Sequence, residues 1–152
     1  MANVEMIRAF VARVLEDGGL VDGRAEPDSD GDFQVRQGSA LYWVSSGQAG
    51  DDSGLVQVFG VVLEDVPLSR KLLTAVNEIN RDYLWIRCFW HEGRLVVARD
   101  LAADTLTAEA LVGACAQIGR ISDEQDDKFK ELIGAGHTFF EGDPDDEDSV
   151  EV

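Results

Sequence analysis

A chain of 152 residues is enough for one domain that buries about two thirds of its unfolded surface, and 45% apolar with 8% aromatic residues is a globular composition. Thirty acids against thirteen bases leave a net charge of −17. That balance excludes a nucleic-acid partner, because phosphate backbones would be repelled and no basic cluster exceeds the pair Arg70-Lys71. No apolar run nears the ~18 residues of a membrane span, and the opening MANVEMIRAFVARVLEDG lacks the basic and continuous apolar regions of a signal peptide. The expectation is a cytoplasmic protein with neither a membrane nor a nucleic acid as partner. Two cysteines, Cys88 and Cys115, lie in apolar stretches and fit a reducing compartment; one buried bridge between them is the alternative.

In chain order, Asn3 is placed to cap a helix whose Val4, Ile7, Val11 and Val14 recur at three and four, with Gly18-Gly19 as its stop. Met6 and Phe10 widen the apolar arc to about half the circumference, more than the ~100° that a surface helix needs. They are therefore the candidate partner-binding residues. FQVRQGSALYWVSS and GLVQVFGVVLED read as strands rich in β-branched and aromatic residues, with Gln37-Gly38 as a hairpin turn. PLSRKLLTAVNEINRDY then sets Leu68, Leu72, Val76, Ile79 and Tyr83 at helical spacing, with Pro67 in its first turn.

In LWIRCFWHEGRLVV, Leu84 to Val97, Glu92-Gly93 marks a two-residue hairpin. Its registry sets Trp90 opposite Leu95, Cys88 opposite Val97 and Ile86 opposite Arg99, a nearly dry face. The other face pairs Phe89 with Val96, Arg87 with Ala98 and Trp85 with Asp100. Thr107 caps a last helix, with Leu106 and Leu111 as its hydrophobic staple. That helix presents Leu111, Cys115, Ile118, Phe129 and Leu132, while its small residues Gly113, Ala114, Ala116 and Gly119 suggest close packing on a sheet. The order is α-β-β-β-α-β-β-α over residues 1–134. The remaining residues 135–152 include EGDPDDEDSVEV, which holds seven acids and no base and reads as a solvated, disordered tail.

Catalytic motifs are missing: no Walker loop, GxGxxG, HExxH, GxSxG or CxxC occurs. Cys88 and His91 cannot meet within one strand, because alternate residues face opposite ways, and a nucleophile needs its base within hydrogen-bond reach. Cys88, among Ile86, Trp90, Leu95 and Val97, reads as a core residue. Asp28, Asp30 and Asp32 of DSDGDF open like a calcium loop, but Phe33 stands where the turn wants glycine and Ser39 where a bidentate glutamate is required. A solvated turn is the better reading, and neither a metal nor any other cofactor is expected. Trp85, Arg87 and Phe89 mix aromatics with arginine, as interface centres do; a second helical layer on that side of the sheet would bury them equally well.

The element order, and above all the block LLTAVNEINRDYLWIRCFWHEGRLVVARDLAAD, resembles the class I type III secretion chaperones and the YbjN-like proteins, the actinobacterial YbjN-like type in particular. In that block a helix ending in Asn77-x-x-Asn80-Arg81 leads into an aromatic hairpin, then a Leu-x-x-x-Thr connection to the last helix; the match covers residues 2 to 134. The resemblance implies an α+β fold with a five-stranded antiparallel sheet packed by helices, often dimeric, that binds polypeptide segments and performs no chemistry. With it, Tyr83, Trp85, Arg87 and Phe89 become the candidate homodimer interface. Asn77 and Asn80 either close the helix end or make a functional contact. The expected function is a non-enzymatic peptide- or protein-binding domain. The alternatives are a small enzyme using Cys88 or an acid pair, and an acidic regulator acting through its C-terminal tail.

Overall fold

The computed structural model describes residues 3–50, 53–134 and 136. Helix α1 (Val4–Asp17) starts where Asn3 Oδ1 accepts from the Met6 amide at 3.1 Å, and the chain turns away beyond Gly18 through Gly19 at φ +68°. Strands β1 (Phe33–Gln37), β2 (Ala40–Gln48) and β3 (Gly54–Leu63) follow, then α2 (Arg70–Asp82), β4 (Arg87–His91), β5 (Arg94–Ala102) and α3 (Ala108–Ile133). The five strands form one antiparallel sheet in the order β1-β2-β3-β5-β4. The expected fold class and element order are both present.

The β4–β5 hairpin has the expected registry, with Trp90 opposite Leu95, Cys88 opposite Val97 and Phe89 opposite Val96. Glu92 at φ +48° and Gly93 at φ +83° make its turn, the two left-handed residues that a type I′ loop demands. Three details differ from the sequence reading. The first hairpin turns at Gly38-Ser39, with Gln37 opposite Ala40, because the positive φ of Gly38 belongs at the first central position of a two-residue loop. Helix α2 begins after Ser69, whose hydroxyl accepts from the Leu72 amide at 3.1 Å; Leu68 stands outside the helix and exposed. Strand β4 begins at Arg87, so Trp85 and Ile86 do not join the ladder opposite Asp100 and Arg99.

Alternation divides the sheet into two unlike faces. Phe33, Val35, Tyr42, Val44, Val56, Val58, Cys88, Leu95 and Val97 point to one side and form a single core with Val11, Val14 and Leu15 of α1, Leu72, Ala75, Val76 and Ile79 of α2, and Leu111, Ala114, Cys115, Ile118, Ile121 and Phe129 of α3. All three helices therefore pack on the same face. Close approach of α3 is set at Gly60 of β3: a Cβ there would stand 2.7 Å from Ser122 Oγ and 3.3 Å from Ile118 Cγ2. Ala114 is fully buried and Gly119 lies against the Gln37 side chain, as the small-residue pattern predicts. Gly113 and Ala116 face outward instead, and Leu132 is about half exposed.

Two polar ties hold the margins. Asn80 does not close its own helix: its Oδ1 accepts from the Cys88 amide at 2.8 Å and its Nδ2 donates to the Cys88 carbonyl at 3.0 Å. It thus satisfies both backbone groups that Cys88 turns away from β5. At the opposite margin, Ser39 donates from its amide to Asp123 Oδ1 at 3.3 Å, and from its hydroxyl to Asp123 and, at 3.4 Å, to Asp126 Oδ2. Asp126 is buried, and that burial pushes its carboxyl above the ordinary carboxylate range.

Asn80→Ala is expected to cost roughly 1–2 kcal/mol, the scale of leaving paired backbone groups without partners, and to speed hydrogen exchange at the Cys88 amide above all others in β4. Asp126 carries the opposite sign. Its folded-state pKa is raised, so the charged form works against folding at neutral pH, and that burden lifts as pH falls through the folded value. Asp126→Asn should raise the melting temperature at pH 7, with the gain fading towards pH ~3.9, where an unfolded aspartate also protonates.

Candidate functional site

Among the described residues, no helix packs on the second face of the sheet. Its residues are Leu41 and Trp43 of β2, Gln57, Phe59 and Val61 of β3, Arg87 and Phe89 of β4, and Val96, Ala98 and Asp100 of β5. Trp43 and Phe59, directly opposite each other, stack with ring centroids 5.6 Å apart. With Leu41 and Val61 they form a second apolar cluster, separate from the main core. Towards β4 the surface hollows to about 680 Å³ over Phe59, Phe89, Val96 and Ala98, with Gln57, His91 and Arg94 on its rim.

Charge is disposed at the edges of this hollow. Gln57 Nε2 donates to Asp100 Oδ1 at 2.7 Å, and Arg87 Nη2 stands 3.3 Å from Asp100 Oδ2. The Arg87 guanidinium also lies over the Phe89 ring, 5.1 Å from its centroid, so its charge is held against an aromatic face. Arg94 Nε pairs with Glu64 Oε1 at 3.4 Å. The result is an apolar floor with a polar rim, the profile of a surface that takes an apolar group from another chain.

The sequence-assigned residues fall in several places. Met6 is 69% exposed and Phe10 37% exposed on the outer side of α1, across the sheet from the hollow. Tyr83 is half-buried on the helical side, where its hydroxyl accepts from Gln125 Nε2 at 3.0 Å. Arg87 and Phe89 share the helix-free face. Trp85 belongs to neither side: it sits in the turn before β4 at φ +67°, 78% exposed beside an equally bare Leu84. That backbone region is a rare one for a bulky side chain. The four interface candidates thus do not form one continuous face within a single copy. The hollow itself was half legible, since registry named Phe89, Val96 and Ala98, whereas Phe59 and Trp43 needed the pairing of β2, β3 and β5.

Catalytic and metal readings can be checked against the same geometry. Cys88 and Cys115 are free, buried thiols, each pushed up to about 12 by burial. Cys88 faces the core, while His91 is exposed at the hairpin turn beside Glu92. In the Asp28–Asp32 turn, Asp28 Oδ1 accepts from the amides of Asp30 and Asp32, both at 2.9 Å, and the Arg8 guanidinium lies against Gly31. Those contacts tie the turn to itself and to α1. His137 and residues 137–152 of the acidic tail lie outside the described residues. Among the described residues, no helix is long and apolar enough to cross a membrane.

A one-sided α+β sandwich, with a helical layer behind the sheet and an apolar hollow in front, defines a binding domain. Residues 5–142 match TY-Chap1, the T3SS (YopN, CesT) and YbjN peptide-binding chaperone 1 family, and the chain belongs to it. Among solved structures it resembles the HopA1–SchA chaperone–effector complex, with TM-score 0.61, 9% identity, and coverage of 84% of this chain and 99% of that one. YbjN of E. coli gives TM-score 0.55 at 18% identity, covering 80% and 92%. The Yersinia pestis type III secretion chaperone SycH, solved with a fragment of YscM2, gives 0.55 at 12%, covering 78% and 98%. At these identities the likeness is one of fold. No curated protein is similar in sequence.

Thiol chemistry offers a direct check on the core assignment. A thiol at about 12 is thiolate to roughly one part in ten thousand at pH 8, where an ordinary cysteine is about a quarter ionised. Folded protein should therefore show no prompt labelling of Cys88 or Cys115 by an alkylating reagent, and denaturation should release both at the rate of free cysteine.

Proposed function

We propose that the protein is a non-enzymatic, cytoplasmic binding domain that takes an apolar segment of another polypeptide. The observation that carries this reading is the helix-free sheet face, where Phe59, Phe89, Val96 and Ala98 floor a hollow with a polar rim. Membership of a peptide-binding chaperone family supports it. The chaperone–effector complexes among the structural relatives add a fold that accepts polypeptide. Against an enzymatic role stand the burial of Cys88 and its distance in orientation from His91. The free thiols agree with a reducing compartment.

Met6 and Phe10 supply a second contact strip, for a segment long enough to reach round the domain. Each apolar side chain fully covered there adds ~1.5–3 kcal/mol. Homodimerisation through the β4 side, with Arg87, Phe89, Trp85 and Tyr83 near the contact, completes the proposal. Trp85 and Leu84 expose an apolar knuckle that water alone does not stabilise. Sedimentation should show a dimer, and a monomer at every accessible concentration would remove that part.

Capture of apolar peptides from a tiled synthetic library tests the binding itself. Phe89→Asp should weaken capture at least tenfold by putting a charge on the apolar floor. Phe10→Asp should weaken it too and leave the melting curve nearly unchanged, because Val11, Val14 and Leu15 already supply the buried stripe of α1. Unfolding of the Phe10 variant would return that residue to the core, and undiminished capture by the folded variant would remove α1 from the site.

A further inference from the structure

We infer that copies of the chain make a further contact with one another: the outer face of α1 in one copy lies in the groove between α2 and α3 of another. This contact is separate from the one proposed through β4, and it covers Met6 and Phe10 when no foreign segment is bound.

The groove opens where the two helices part. At one end the Tyr83 hydroxyl accepts from Gln125 Nε2 at 3.0 Å and bridges them. Two hollows of about 300 and 340 Å³ run on from there towards Arg70, over Ala75, Ile79, Phe129 and a half-exposed Leu132. Charge along this side of α2 opposes the helix's own dipole. Arg70 and Lys71 stand in the first turn, where a helix favours acids, and Glu78 stands towards the C-terminal end, where it favours bases. None of the three has an ion-pair partner among the described residues, whereas Arg81 and Asp82 neutralise each other at 2.8 Å. That order weakens α2 on its own, and it is accounted for by an opposite order of charge laid against it.

The outer face of α1 has that opposite order. Glu5, Met6, Ala9, Phe10, Arg13 and Asp17 share one exposed arc of the helix, and Glu5, Arg13 and Asp17 make no ion pair among the described residues. From Glu5 to Arg13 is about 12 Å along the axis, and from Lys71 to Glu78 about 10 Å. Laid parallel to α2, α1 therefore sets Glu5 against Arg70 and Lys71, and Arg13 against Glu78, in a single register. Asp17, one turn on, then comes to Lys128 on the α3 bank. Met6 and Phe10 fall between the charged ends, over Ala75 and Leu132, and the small Ala9 lets the axes approach. The α1 of the same chain does not reach this groove: it packs at the start of α3, with Gly18 beside Val112, about 20 Å along that helix from Gln125. The α2 of a second copy has charges of both signs but offers Thr74 and Ala75 to the groove, with no large apolar side chain to cover Leu132.

A photoreactive benzophenone carried on Ala9→Cys tests the contact in the full chain, since the native thiols are buried and the reagent reaches residue 9 alone. Irradiation should join two copies, at residues 74–79 of α2 or 128–132 of α3. Joining on the sheet face or at the β4–β5 hairpin, or no joining at any accessible concentration, overturns the inference. Arg13→Glu should lower the cross-linking yield about threefold, the scale of reversing one exposed ion pair, and Glu78→Arg should do the same. Both positions are exposed, so the fold is kept, and the two changes together in one chain should restore the yield. Single variants that cross-link like the parent, or a double variant that stays low, overturn the inference as well. No peptide is present in these measurements, so their failure leaves capture on the sheet face standing, and failed capture leaves this contact standing.

Discussion

The close approach of α3 to the sheet at Gly60 is the constraint on which the rest of the architecture depends. With no Cβ at that point, Ser122 and Ile118 settle directly onto β3, and the long helix lies across the middle of the sheet instead of at its margin. Space on that side is then shared by α1 and α2, so that all three described helices lie on one face. A larger residue at position 60 would lift α3 and open the core to water. Among the described residues the second face is left without a helix.

A sheet face without a helical layer normally turns polar, because alternation lets an antiparallel strand set hydrophobic residues inward and charged ones outward. Here the outward set includes Leu41, Trp43, Phe59, Val61, Phe89 and Val96. Charge is instead displaced to the rim, where Arg87 is shared between Asp100 and the Phe89 ring. In a chain of net charge −17, the hollow is edged by cations and carboxylates side by side: Arg87 with Asp100, Arg94 with Glu64 and His91 with Glu92. The acids elsewhere keep the protein dispersed.

The element order and fold class were legible in the sequence because each element carries its own local signal: Asn3 and Thr107 cap, Glu92-Gly93 turns, and hydrophobic spacing switches between the helical period and the strand period. Where local rules compete, the reading slipped. Gly38 was given the second turn position, though its left-handed backbone belongs to the first. The run Leu84–Ile86 reads as strand on propensity alone, yet the exit from α2 forces Trp85 into a backbone region that propensity assigns to glycine. Long-range facts were out of reach: nothing in the sequence says that Asn80 reaches to Cys88, or that Trp43 meets Phe59. Of the site, the hairpin gave Arg87, Phe89, Val96 and Ala98, and the other half came only with strand order.

Asn80 has a consequence for the fate of the protein in a crowded solution. A sheet edge with open amides and carbonyls is a template on which a foreign strand crystallises, and fibrils grow from such margins. On β4 the groups that Cys88 would offer are already bonded to a side chain at 2.8 and 3.0 Å. The seal is local to the chain and requires no other molecule. A foreign strand that approaches β4 therefore finds the middle of that edge already closed at Cys88.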